Sequence, residues 1–228
     1  MGTAHPHGQP SGRDEGSPHD RPADMNPAPR RDPQASAGNS ERNPLWVALG
    51  LLHADAPPEI ISAPESWPRW AVLLPHVLAA TARLDPATAG DTAVLDDAAW
   101  LLDRAGTYLQ VHARLTEARP LFEHALAITE AAHGPDHPDV AARLNNLALV
   151  LRDLGRPQDA RPLYERALAI DEAARGPDHP DVAVRLNDLG LVLRDLGQPQ
   201  DARPLEERAS AIAKSRQSSR PAPADREV

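Results

Sequence analysis

The sequence predicts an all-α protein built as a short stack of paired helices. Residues 118–159 recur as residues 160–201 with only eight differences in forty-two positions. Apolar residues in both copies return every three or four positions, which puts them on one face of a helix. The apolar content is mostly alanine, leucine and valine, and aromatics make up only 3% of the chain. Self-similarity at a fixed period in this range marks a solenoid, whose units bury their apolar faces only by stacking on neighbours.

Composition narrows the function. With 228 residues and 25 prolines the chain can build one or two small domains rather than one large core. A net charge of −9 and the lack of a basic stripe argue against nucleic-acid or anionic-membrane partners, which need a cationic surface to displace counterions. The absence of cysteine removes disulfides, thiolate zinc sites and cysteine nucleophiles together. The first forty residues contain no signal-like apolar segment, and no stretch reaches the roughly 18 apolar residues that span a bilayer. A soluble, cytoplasmic protein is expected.

Residues 1–43 are rich in Pro, Gly, Ser, Asp, Arg and His with almost no branched aliphatics, and are expected to be disordered. His5, His7 and His19 are too irregularly spaced to make a metal tract. Residues 44–90 hold a short apolar segment, Pro44 to Ala54, that reads as a docking helix, then the breakers Pro57, Pro58 and Pro64, then a helix from Ser66 to Leu84 with Ser66 as its N-cap. Aligning His76 with His124 pairs PHVLAAT with EHALAIT, so this helix reads as the degenerate second half of an earlier unit. Three full units follow at about 91–132, 137–174 and 179–216, each a helix, a tight turn and a second helix, and residues 217–228 read as a disordered tail.

Two recurring features invite chemistry and are better explained by geometry. GPDHPDV occurs at Gly134–Val140 and at Gly176–Val182. Its His-Pro-Asp letters resemble the tripeptide of J-domain co-chaperones, but here they recur with the repeat. Gly-Pro makes a turn, the residue before proline leaves helical geometry, Pro138 fits a first helical position and Asp139 favours the positive helix end. Pro120, Pro162 and Pro204 lie near the starts of the second helices, so those helices begin near Ala118, Ala160 and Ala202 or bend at the proline.

Position by position, the chain resembles tetratricopeptide repeats of the 42-residue kinesin-light-chain kind. The small-large pattern of that family falls on Leu144, Leu147, Ala148, Leu151, Gly155, Ala160, Tyr164 and Ala167. The unit before it carries Leu102, Ala105, Gly106, Leu109, Ala113, Ala118, Phe122 and Ala125, with Ala113 where the turn glycine is usual. The last unit carries Leu186, Leu189, Gly190, Leu193, Gly197, Ala202, Glu206 and Ala209. Glu206 and Ser210 replace the large residues of earlier second helices, as a terminal unit requires on a face nothing covers. The resemblance implies a right-handed superhelix whose first helices line a concave face. The stretch SWPRWAVLLPH is also similar to the junction that precedes such repeats in bacterial STAND-type regulatory ATPases, although no GxxxxGK[ST] motif is present.

The resemblance places the binding residues on the first helices. Asn145 and Asn187 occupy equivalent positions, as do Arg152 and Arg194 seven residues on, with Asn146 and Asp188 beside them. An asparagine offers donor and acceptor to a peptide backbone, and an arginine can grip a carboxylate with two hydrogen bonds. No GxSxG, HExxH or dinucleotide fingerprint occurs, so neither enzyme activity nor a metal or cofactor is expected. The expected function is non-catalytic protein–protein recognition, a peptide or partner helix lying in the concave groove. A regulatory or sensor fragment of a STAND-type system is the alternative, and self-association is compatible with either.

Overall fold

The computed structural model describes residues 43–218. The expected N-terminal arm up to residue 42, with its three histidines, and residues 219–228 of the expected tail lie outside the described residues. Nine α-helices account for most of the described chain: α1 (Pro44–Asp55), α2 (Trp67–Thr81), the one-turn α3 (Pro86–Ala89), α4 (Thr92–Val111), α5 (Leu115–His133), α6 (Pro138–Asp153), α7 (Pro157–Arg175), α8 (Pro180–Asp195) and α9 (Pro199–Ser218). Among the described residues there is no strand.

The helices pack in order. Three antiparallel pairs, α4 with α5, α6 with α7 and α8 with α9, form the full units, and each second helix packs on the first helix of the next unit. Helices α1 and α2 pack on each other and both pack on α4, so they take the places of a first and a second helix in a degenerate leading unit. Gly106 lies where an added Cβ would come within 2.9 Å of the Phe122 ring. That close approach explains the small residue in the middle of each first helix: Gly106, Ala148 and Gly190 leave room for Phe122, Tyr164 and Glu206.

The connectors follow from their residues. His137 and His179 cap α6 and α8, each Nδ1 accepting from the backbone N–H of the aspartate two residues on at 3.2 Å, with Pro138 and Pro180 at the first helical position. The repeated His-Pro-Asp motif is therefore a helix-start device, and the histidine contributes a cap as well as a residue before proline. Within each unit the turn closes by the same pair of backbone bonds, the one from Arg114, Arg156 or Gln198 spanning back five residues to Leu109, Leu151 or Leu193. Its left-handed residue is Gly155 (φ 72°) or Gly197 (φ 74°) in two units and Ala113 (φ 58°) in the first.

Two expectations about helix starts are corrected. The second helices do not begin late at Ala118, Ala160 and Ala202. They begin at Leu115, Pro157 and Pro199 and run through Pro120, Pro162 and Pro204. All three prolines are exposed, so the backbone bond each one forfeits lies on the solvated side. Ser66 stands at the N-cap position of α2, as expected, but its side chain makes no cap bond to the helix. Its Oγ donates to the carbonyls of Glu59 (2.8 Å) and Ala63 (2.7 Å), and a 3₁₀ turn over Pro64–Ser66 leads into the helix.

The aromatics of SWPRW are used in the same connector. Trp67 Nε1 donates to the Ile60 carbonyl at 2.9 Å, and Trp70, fully buried, donates to the Pro57 carbonyl at 3.0 Å. They pin residues 57–60 against α2, which accounts for the motif without a neighbouring domain.

Candidate functional site: the inner face of the first helices

Four of the six candidate residues, Asn145, Arg152, Asn187 and Arg194, lie on one stripe of α6 and α8 that continues onto α4 at forty-two-residue intervals, and Asn146 and Asp188 stand one position to its side. On α6 the stripe is Ala142, Asn145, Leu149 and Arg152, and on α8 it is Val184, Asn187, Leu191 and Arg194. On α4 it is Trp100, Asp103, Thr107 and Gln110. Its neighbouring helices are tied at their C-terminal ends: Gln110 Nε2 donates to Asp153 Oδ2 at 3.0 Å, and Arg152 Nε lies 3.7 Å from Asp195 Oδ2.

Exposure rises along the stripe. Asp103 and Thr107 are buried, Asn145 and Leu149 are half-buried, and Asn187 and Leu191 are exposed. The first step is shut from the side of the leading unit. The His53 ring from α1 lies 4.4 Å from Trp100, its Nδ1 pairs with Asp97, and Arg104 donates to the Pro58 carbonyl at 3.4 Å. The accessible part of the inner face is therefore α6 and α8. Val184 (50% exposed) and Leu191 (45%) make an apolar row there, between Asn187 and the charged ends of the helices.

The six predicted residues have different surroundings. Arg194 donates to both carboxylate oxygens of Glu206, at 2.7 and 2.6 Å, and that hydrogen bonding holds the Glu206 carboxyl below its usual range. Among the described residues Arg152 makes only long pairs, at 4.0 Å to Asp153 and 3.7 Å to Asp195. Asn145 Oδ1 is buried with no hydrogen-bond partner among the described residues. Asn187 is exposed. Asn146 faces the previous unit, its Nδ2 donating to Asp103 Oδ1 at 2.7 Å. Asp188 is half-buried, and burial raises its carboxyl pKa although Arg185 and Arg152 pull it down. Beside it the Tyr164 hydroxyl is buried without a hydrogen-bond partner among the described residues, and burial followed by the Asp188 charge pushes its pKa up.

Sequence reasoning missed the two buried carboxylates that organise this face. Asp103, fully buried, accepts from Arg104 (2.7 Å) and Asn146 (2.7 Å) and pairs with Arg143 (3.1 Å). Asp171, also buried, accepts from Arg185 at 3.0 Å and pairs with Arg175 at 3.6 Å. The signal was available in the register: an acid stands at 103 where later units have asparagine, and at 171 where the earlier unit has Thr129.

A tetratricopeptide repeat family model matches residues 96–173 and 141–215, which together span just over half of the chain. The chain belongs to the tetratricopeptide repeat family. Among solved structures, this tetratricopeptide chain is similar to a Podosopora anserina protein described as a putative kinesin light chain with nearly identical TPR-like repeats. That likeness has a TM-score of 0.57 at 24% identity and covers 81% of this chain and 84% of that one. A second structure of the same protein, a single-residue variant, gives a TM-score of 0.59 at 23% identity, over 81% and 84% of the two chains. BtubC (BKLC) from P. vanneervenii gives a TM-score of 0.57 at 20% identity; the match covers 72% of this chain and only 64% of BtubC. At these identities the likeness is one of fold. No curated protein matches the chain. Proteins of this repeat family generally act as protein-interaction modules, and none of the described helices is long and apolar enough to cross a membrane.

Proposed function

We propose that the chain is a non-catalytic recognition module that holds a peptide or a partner helix on the inner face of α6 and α8. The observation that supports this best is the opening of the stripe toward the third unit. Exposed Val184 and Leu191 supply apolar contact, exposed Asn187 supplies backbone hydrogen bonds, and Arg152, bound only by long ion pairs, is available to a ligand acid. Arg194 contributes less, because a ligand acid would have to displace Glu206. Two open steps make a short groove, so modest affinity is expected, raised where the ligand or the protein is multivalent.

The test compares the wild-type chain with an Asn187→Ala, Leu191→Glu, Arg152→Ala variant in pull-downs from the native cell extract, followed by hydrogen exchange on the recovered complex. The expected result is loss of partners from the variant and partner-induced protection on α6 and α8. The same partners on both proteins, or protection confined to α5, α7 and α9, would show that binding uses another face. The STAND-type alternative has no structural observation in its favour, since the stretch that suggested it is occupied in packing α2 and its connector.

A further inference from the structure

The two ends of the stack are finished differently. At the C-terminal end the outer face of α9 presents Arg203, Glu206, Glu207, Ser210 and Lys214, a polar surface of the kind that closes a solenoid. At the N-terminal end the outer face of α1 and α2 is apolar. Among the described residues, five of the eight exposed large hydrophobics, Val47, Leu51, Ile61, Val72 and Leu78, belong to this leading region, and Leu51 is 66% exposed. Between the two helices runs a trough of about 660 Å³, lined by Leu45, Ala48, Leu51 and Leu52 from α1 and by Ala79 and Ala80 from α2. Val72 extends its α2 wall by one turn, in helical register with His76, Ala79 and Arg83.

We propose that this trough is a self-complementary dimer interface, occupied by the same face of a second copy of this chain. Charge is distributed along it as an isologous contact needs. Asp55, which pairs with Arg69 of its own chain and keeps 46% of its side chain exposed for a second cation, lines one end and exposed Arg83 the other, on an apolar floor. A two-fold axis through the middle sets Arg83 of each copy against Asp55 of the other. Head-to-tail stacking is disfavoured, because it would press the apolar trough onto the charged face of α9. The chain's own residues 2–42 are a poor occupant, since Met25 is their only large aliphatic or aromatic side chain. The inference is independent of the groove on α6 and α8, which lies on other helices and stays open in such a dimer.

Sedimentation of the full chain across the micromolar range tests it. Wild type is expected to be a dimer, and Leu51→Glu to weaken it by at least about thirtyfold, the loss typical of removing a central interface anchor. Arg83→Glu should weaken it less, and Leu191→Glu, in the other groove, should leave it intact. Leu51 is exposed, so the Leu51→Glu monomer should melt as a folded helical protein by circular dichroism. A wild type that stays monomeric throughout, a dimer indifferent to Leu51→Glu, or a dimer broken by Leu191→Glu would each overturn the proposal. So would a monomer that dimerises only after residues 1–42 are removed, which would make that arm the occupant.

Discussion

The junction between the first and second units and the junction between the second and third are built on nearly the same sequence, yet they bury their charges on opposite sides of the same arginine position. Arg143 and Arg185 are equivalent residues, 16% and 13% exposed at the side chain. At the first junction Arg143 pairs with Asp103, which belongs to the preceding first helix, α4. At the second, Arg185 pairs with Asp171, which belongs to the preceding second helix, α7. The arginine follows the acid: unit two has neutral Asn145 in the register of Asp103, and unit one has Thr129 in the register of Asp171, its hydroxyl donating to the Ala125 carbonyl at 2.9 Å. The repeats thus share one apolar geometry, while each junction is closed by its own buried charge. A buried arginine without its acid is costly, so the acid must be supplied from one side or the other.

The largest effect should come from breaking the first junction. Asp103→Ala leaves Arg143 without its acid, Arg104 with only the Pro58 carbonyl and Asn146 without its acceptor, and should cost about 3–5 kcal/mol in urea unfolding. Asp171→Thr should cost about 1–3 kcal/mol, because the threonine can copy Thr129 and bond the carbonyl four residues back. Adding Asn145→Asp and Asp188→Asn to Asp171→Thr rebuilds the first junction's pattern at the second and should recover most of that loss. No recovery in the triple would mean that the junctions are not alternative solutions to one problem.

A smaller effect concerns the turn between paired helices. Gly155 and Gly197 occupy a left-handed conformation that suits a residue without a Cβ, and Ala113 adopts it at φ 58°. Ala113→Gly should raise stability by about 0.5–1 kcal/mol, relief of strain outweighing the extra freedom of the unfolded chain. Gly155→Ala should lower it by a similar amount, and thermal melts of the two variants moving in the same direction would refute the common-turn reading.

How much of this was legible depended on whether neighbours in sequence or neighbours across units decide the outcome. The helices, their paired stacking and the glycine-turn register follow from spacing within one unit, and so could be read directly. The second-helix prolines misled because proline's local rule favours an early position. Packing of Ala118, Ala160 and Ala202 into the core holds those helices together across an exposed proline. For the six candidate residues, periodicity located the stripe but not its exposure. Asn145 and Asn187 are equivalent letters, yet one is half-buried and the other exposed, because only Asn145 has a following unit beside it. Asp103 and Asp171 escaped notice because a buried acid and a solvated one look the same until the arginine of the next unit is placed.

The smallest effect distinguishes the junctions by pH. Asp188 stands where the first junction has Asn146, and it has no buried acid to bond as Asn146 bonds Asp103. Burial raises its pKa in the folded protein, with Arg185 and Arg152 only partly opposing the rise. The folded state therefore holds this proton more tightly than the unfolded chain does. Its contribution to stability is fully present below the unfolded carboxylate value of about 4, and it is lost as pH rises through the folded value. At neutral pH the ionised Asp188 is a net cost, which the neutral amide of Asp188→Asn removes. The variant should melt higher than wild type at about pH 7, and the difference should shrink toward zero at about pH 3, where wild-type Asp188 is protonated in both states. An advantage independent of pH would assign the gain to packing. A variant less stable than wild type at neutral pH would mean that attraction to Arg185 and Arg152 outweighs burial, and that the second junction, unlike the first, is closed by more than one acid.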